Sequence, residues 1–221
     1  MLSMGLKRFL AKRMLAATVA VCLVLPSTGV MAEYLGLIAG REATLAKTTD
    51  LSVEFGIVFG DLGTLDYQNI AARLNYRYTP ELMISGTVGV SEFGDSDGVP
   101  IGLGLIYHLS KQRISQAVEI AAKASYHAGD YSVGSTDGDL SSTAFEVLVS
   151  GANPLAANGL SWYSNVGFHR ISIDFGSSNS ANELGLGAGL VLPTGLGEAY
   201  IGFEHIDQLT IGLGIRYFIS N

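Results

Sequence analysis

The chain has 221 residues, of which 28 are glycine, and it combines 48% hydrophobic residues with only 15% charged residues and a formal charge of −7. This composition excludes a disordered chain, which needs few apolar residues and many charges, and it excludes a basic nucleic-acid-binding protein. The single cysteine excludes a disulfide framework and a cysteine-based metal cluster.

The first 32 residues have the organisation of a cleaved export signal. An apolar run over residues 14–25 is about the length of a signal core and too short to span a bilayer. Small residues then precede a predicted cleavage site after Ala32, and a short membrane anchor is the alternative. The basic residues before the apolar run are Lys7, Arg8, Lys12 and Arg13. Removal of residues 1–32 leaves a chain without cysteine that is more acidic than the precursor.

Residues 33–49 follow the signal and precede the first regular strand. We predict that they form a periplasmic segment or a plug, and that residues 50–221 form one domain. Residues 34–38 could form a further strand.

The remaining chain alternates with a period of two residues. In residues 51–59, for example, Leu51, Val53 and Phe55 share one face while Ser52 and Glu54 share the other. Glycine also falls inside these segments, where it costs about 1 kcal/mol per position in a helix. The pattern predicts ten strands, or eight if the weakest are merged, over residues 50–60, 66–79, 82–93, 99–110, 116–129, 142–152, 160–175, 183–193, 197–206 and 208–219.

The two faces of these strands distinguish a membrane barrel from a soluble sandwich. The face opposite the apolar stripe consists mainly of glycine, serine and alanine with a few charges, and a soluble domain of this composition lacks a polar surface. An apolar exterior with a small or polar interior is typical of a transmembrane barrel, and paired backbone groups in lipid require the sheet to close. We therefore predict an all-β, closed, antiparallel, up-and-down transmembrane β-barrel.

The connections predict which end of the barrel is which. Short turns such as Thr79-Pro80-Glu81 fall at one end, whereas residues 94–98, 130–142 and 176–182 are rich in glycine, serine and aspartate and predict longer extracellular loops. Both termini are then periplasmic. In the strand over residues 160–175 the hydrophobic phase slips between Phe168 and Ile171, which predicts a β-bulge.

Five aromatic residues on the predicted lipid face lie at the short-turn end of their strands. Clustering at one end is typical of an interfacial aromatic girdle and is not expected of a soluble core. The predicted girdle consists of Tyr76, Tyr78, Tyr107, Trp162 and Tyr217.

Ionisable residues on the inward face are balanced in sign. Unpaired buried charges cost several kcal/mol, so we predict an ion-pair network in a largely closed lumen. Its members are Glu54, Arg73, Arg77, Glu119, Lys123, Glu146, Glu204 and Arg216.

The last strand, Thr210-Ile211-Gly212-Leu213-Gly214-Ile215-Arg216-Tyr217, resembles the β-signal that bacterial outer-membrane barrels present to their assembly machinery. The resemblance implies that Thr210, Gly212, Ile215 and Tyr217 form an assembly signal. The run Leu74-Asn75-Tyr76-Arg77-Tyr78-Thr79-Pro80-Glu81-Leu82 resembles the strand-turn-strand of opacity-type and OmpA-type small barrels. That family includes adhesins, pores, structural barrels and a few enzymes, so membership does not fix a function.

We therefore expect an integral outer-membrane protein of a Gram-negative bacterium with a structural or surface-interaction role. The alternatives are a small porin-like diffusion pore and an outer-membrane enzyme such as a lipid A-modifying hydrolase. A lipid A deacylase of this architecture would have a His-x-Ser pair. The segment His205-Ile206-Asp207 lacks the serine of such a pair. We expect no catalytic residues, no cofactor and no metal site. The expected partners are membrane lipids, lipopolysaccharide, the barrel assembly machinery and an unidentified host or envelope surface partner, but not nucleic acid.

Overall fold

The computed structural model describes residue 37 and residues 50–62, 65–109, 118–133, 136–152, 159–174 and 178–219. The predicted signal, the first four residues after it and residues 38–49 lie outside this part of the chain. The strands are β1 (Leu51–Leu62), β2 (Leu65–Arg77), β3 (Leu82–Phe93), β4 (Ser96–Gly98), β5 (Ile101–His108), β6 (Val118–Val133), β7 (Thr136–Ala152), β8 (Ser161–Asp174), β9 (Ser178–Thr194), β10 (Gly197–His205) and β11 (Leu209–Ile219).

The sheet is antiparallel and closed, because β1 pairs with β11 as well as with β2. β4 and β5 form one crossing strand, since both pair with β3 on one side and β6 on the other. Pro100 interrupts this strand because it has no backbone N–H to donate, although its carbonyl still accepts a hydrogen bond from Gly89 N at 2.9 Å. The barrel thus has ten crossing strands, which confirms the predicted count and excludes eight. In the described residues no helix is long and apolar enough to cross a membrane.

We call the end that carries Leu51 and Ile219 the near end and the opposite end the far end. Seen from outside, the strands are apolar from the near end over most of their length and then become polar. The change is marked by outward-facing, exposed acidic residues near the far end, which are Asp61, Asp66, Glu92, Asp97, Asp130, Asp139 and Asp174. The outside therefore consists of an apolar belt with an acidic collar at its far edge.

The predicted long loops at the far end are wrong. Only two or three residues separate consecutive strands there, because β6 and β7 pair as far as Val133 and Thr136 and β9 begins at Ser178. Aspartate, serine and glycine have low strand propensity, but pairing with neighbouring strands gives their backbone groups partners and overrides that preference. The longer connections, residues 109–117 and 153–160, are at the near end.

The predicted bulge in β8 is also wrong. The pairing of β8 with β7 and with β9 runs without interruption, so that His169 and Ile171 face inward and Arg170 faces outward. The hydrophobic phase slips because Ile171 is buried in an apolar cluster inside the barrel. An apolar residue at this height therefore no longer marks the outer face.

Candidate functional site: the barrel lumen

The lumen contains a cluster of charges around Glu54, at the seam where the first and last strands meet. Glu54 lies directly across from Arg73 on β2 and Arg216 on β11. Both Nε and Nη2 of Arg216 donate to Glu54 Oε2, at 3.2 and 2.9 Å, and Arg73 Nη1 lies 3.8 Å from Glu54 Oε1. Arg216 Nη1 also lies 3.5 Å from Glu198 Oε2. Glu54 and Arg216 are almost completely buried. This Glu54 cluster therefore links the first and last strands through buried charged contacts.

A second group of polar side chains lies on the opposite wall. Lys123 on β6 and Glu146 on β7 are register partners, and their Nζ and Oε2 atoms are 2.8 Å apart. Asn165 Nδ2 donates to Glu146 Oε1 at 2.7 Å and to Glu204 Oε1 at 3.5 Å. This Glu146 cluster therefore connects strands β6, β7, β8 and β10 across the lumen wall.

A cluster of apolar and aromatic side chains lies in the lumen towards the far end. The Tyr67 and Phe93 rings stack with their centroids 4.8 Å apart, and the Tyr131 ring meets Phe93 edge-on at 5.0 Å. Tyr131 also donates from its hydroxyl to Ser91 Oγ at 3.2 Å. Together with other residues of the same buried cluster, these side chains form what we call the far-mouth cluster, Tyr67, Phe93, Tyr131, Leu140, Ile171 and Ile206.

Inward-facing glycines make room for large lumenal side chains on neighbouring strands. A Cβ at Gly202 would lie 1.9 Å from the Tyr163 hydroxyl, and a Cβ at Gly102 would lie 2.0 Å from His127 Cδ2. Each of these large side chains therefore packs on the backbone of a glycine in another strand. This packing helps to fix the register of the strands. At outward-facing Gly86, by contrast, a Cβ would meet nothing within 4 Å.

This contrast predicts opposite responses to alanine. Gly202→Ala is expected to lower the free energy of unfolding by about 1–3 kcal/mol through overpacking, whereas Gly86→Ala is expected to be neutral or slightly stabilising. Urea titration of the refolded protein, with the fold followed by the gel shift on heating, measures both. Equal tolerance of the two substitutions would contradict the close packing of Tyr163 on Gly202.

All eight members of the predicted network face inward. Glu54, Arg73 and Arg216 meet in one cluster, and Lys123, Glu146 and Glu204 belong to the other. Arg77 and Glu119 lie near the near end and are only half-buried. The Glu54 and Glu146 clusters contain six of the eight predicted members, and a single network that joins all eight stays a prediction.

The predicted girdle residues all lie on the outer face close to the near end. Tyr78 and Tyr107 are exposed, and Trp162 is half-buried. In the predicted assembly signal, Thr210 and Gly212 face the lumen whereas Ile215 and Tyr217 face outward. His205 and Asp207 lie at the connection from β10 to β11, where Asp207 has a positive φ of 104°.

Sequence reasoning missed Glu198 and Asn165, which are both buried in the lumen. Glu198 shares the inward parity of Glu204 on β10, so the alternation already indicated its position, but its place beside a turn concealed this. Asn165 carries no charge and was passed over in a search for ion pairs. The described residues contain no group of three or more His, Cys, Asp or Glu side chains placed to hold a metal ion.

No protein-family model matches the chain, and the comparison with curated proteins found no match. Among solved structures, the β domain of the Bordetella autotransporter BrkA is 12% identical with a TM-score of 0.48, covering 78% of this chain and all of that one. The KdgM porin is 11% identical with a TM-score of 0.38, covering 76% and 99%. The outer membrane protease OmpT from Escherichia coli is 8% identical with a TM-score of 0.40, covering 77% and 94%. At these identities the function has to be argued from the chain's own residues.

Proposed function

We propose that this chain is an integral outer-membrane β-barrel of a Gram-negative bacterium with a structural or surface-interaction role and a lumen closed to free diffusion. The observation that carries the proposal is the inverted distribution of polarity. Leu103, Phe145 and Leu184 are at least 60% exposed on the outside, whereas Glu54 and Arg216 are almost completely buried inside. A water-soluble protein buries the first kind of residue and exposes the second.

The membrane position follows from the belt and its edges. The belt covers roughly seven to eleven residues on most strands, close to the roughly 9–11 residues that a tilted strand needs to cross a bilayer. The girdle residues then lie at the near edge, and the acidic collar lies in water at the far edge. We assign the near end to the periplasm because it carries both ends of the barrel domain and the end of the last strand, which resembles the β-signal presented to the assembly machinery, although the longer connections also lie at this end. We also propose that the chain is a small barrel of the opacity-type and OmpA-type family.

The proposed role as a closed barrel rests on the far-mouth cluster. Its apolar side chains lie within the lumen, where an apolar constriction opposes passage of water and ions by dewetting. The short far-end connections also leave little chain for an adhesin-like loop, so a surface partner would contact the acidic collar and the strand ends. Lipids and lipopolysaccharide are the partners that the belt itself requires.

The proposal predicts the behaviour of the protein in planar bilayers. The unmodified protein is expected to give no steady openings, whereas Phe93→Ala is expected to produce them because it removes the ring that stacks on Tyr67 and meets Tyr131. The same change at Phe145, an exposed ring of the outer belt, provides the matched control and is expected to leave the barrel closed. Steady openings in the unmodified protein would contradict a closed lumen, and membrane fractionation tests the location separately.

A small diffusion pore is the second candidate. Buried oxygens of Asn75, Ser142, Ser161 and Asn165 have no hydrogen-bond partner among the described residues, and buried polar atoms of this kind usually bind water. A hydrated lumen below the far-mouth cluster favours this reading. The proposal includes no enzymatic activity, and mass spectrometry of lipid A from cells with and without the gene tests for a lipid A-modifying hydrolase.

A further inference from the structure

A smooth patch of the lumen wall lies at the seam of the barrel. Gly56 on β1 is the register partner of Ala71 on β2 and of Gly214 on β11, so three small inward-facing residues stand side by side on three strands. The Tyr200 hydroxyl lies 3.0 Å from the point that a Gly56 Cβ would occupy. The patch is therefore a shallow recess bounded by larger side chains.

Leu37 occupies this recess. Its Cδ2 atom lies 2.9 Å from the position of a Gly56 Cβ, so a larger residue at position 56 would force the Leu37 side chain to shift. The Leu37 side chain is only 5% exposed and belongs to the same buried cluster as Ala71 and Tyr200. A residue that lies outside every strand is thus enclosed by the barrel wall.

Arg73 holds the backbone of the same residue. Its Nη2 donates to the Leu37 carbonyl oxygen at 2.5 Å, a buried contact between residues 36 positions apart. Its Nη1 lies 3.8 Å from Glu54 Oε1. The Arg73 guanidinium therefore links Leu37 to the Glu54 cluster at the seam. An arginine can do this because it presents several donors in a fixed fork.

We propose that Gly56, Ala71, Gly214, Tyr200 and Arg73 form a binding site for Leu37 of the same chain. The site recognises a branched apolar side chain through the recess and a main-chain carbonyl through Arg73, which acts as the positioning residue. The site gives a role to an arginine that is one of two facing a single glutamate. The inference rests on the proposed function, a barrel with a closed lumen, and adds an occupant to that lumen.

The site is tested by cysteine accessibility in the folded protein, with Cys22→Ser included so that precursor with an uncleaved signal contributes no second thiol. A bulky maleimide is expected to react with L37C at least about tenfold more slowly than with L196C, whose parent leucine is 74% exposed at the near end. L37C shortens the side chain in the recess but keeps the main-chain carbonyl that Arg73 binds, so protection is still expected, and the gel shift on heating shows that each variant is folded. Equal labelling rates in folded protein would overturn the proposal.

The role of Arg73 is tested in the L37C background. Arg73→Gln is expected to raise the labelling rate of L37C towards that of L196C, whereas Arg73→Lys, which keeps a cationic donor, is expected to preserve most of the protection. Unchanged protection with Arg73→Gln would overturn the assignment of Arg73. Failure of the outer-membrane proposal would appear instead in fractionation and bilayer experiments, so the two failures are distinguishable.

Discussion

Glu54→Ala is expected to be among the most destabilising single substitutions in this barrel, lowering the free energy of unfolding by about 3–5 kcal/mol. The substitution leaves Arg216 buried without the carboxylate that receives two of its N–H groups, and it removes the charge 3.8 Å from Arg73. The cost arises mainly from these two desolvated guanidinium groups and much less from the lost side chain. It falls on the seam, where β1 and β11 close the barrel.

The measurement is a urea titration of protein refolded into lipid vesicles, with folded protein identified by its gel shift on heating. Glu92→Ala is the matched control, because Glu92 is an exposed acid on the outer face and such changes usually stay within about 0.5 kcal/mol. The double variant Glu54→Ala/Arg216→Ala is expected to cost less than the sum of the single variants, since it removes one of the stranded charges. Wild-type stability of both Glu54→Ala and Arg73→Ala would disprove the paired-charge interpretation of the lumen.

Leu103→Arg is expected to cost about 2–4 kcal/mol in a bilayer, because it places a cation on the lipid face near mid-belt. Leu103 is 68% exposed and faces outward from β5. In a water-soluble protein, a residue this exposed would accept arginine with little change. The substitution therefore discriminates directly between lipid and water outside the belt.

Leu196→Arg is the matched control for this prediction. Leu196 is 74% exposed but lies in the near-end connection between β9 and β10, beyond the belt. Arginine there is expected to cost no more than about 1 kcal/mol, since charges near the interface are tolerated. Folding yield and urea stability in vesicles are compared for both variants. If the two arginines are tolerated equally, the belt does not face lipid.

The architecture could be predicted from the sequence because alternate residues of a barrel strand face opposite sides of the wall. Each strand must show lipid one kind of side chain and the lumen another, so the parity of Phe55 and Glu54 indicates their faces before any contact is known. The same parity placed all eight predicted lumenal charges correctly on the inside. Parity indicated the wrong face for Ile171, beyond the apolar belt, because the apolar side chain there lies in the lumen.

Pairing within the lumen could be predicted less well, because parity gives a face but not a neighbour. Whether Glu54 meets Arg73, Arg216 or both depends on the register between strands that are distant in sequence, and Arg216 is 162 residues away. The places of Glu198 and Asn165 in the clusters also depend on the register between strands, so parity did not indicate their partners. The sequence also could not distinguish a polar far-end loop from a paired strand, since pairing partners decide that.

The sequence by itself thus determined the fold class, the ten crossing strands and the side of the wall on which each charge lies, because these follow from local alternation. Tertiary structure alone decided which charged side chains meet, which apolar side chains form the far-mouth cluster, and the enclosure of Leu37. Each of these depends on the closure of the sheet, which brings β1 against β11 and sets Gly56, Ala71 and Gly214 side by side. Contacts of that kind depend on how the strands are staggered around the barrel, which no single strand encodes.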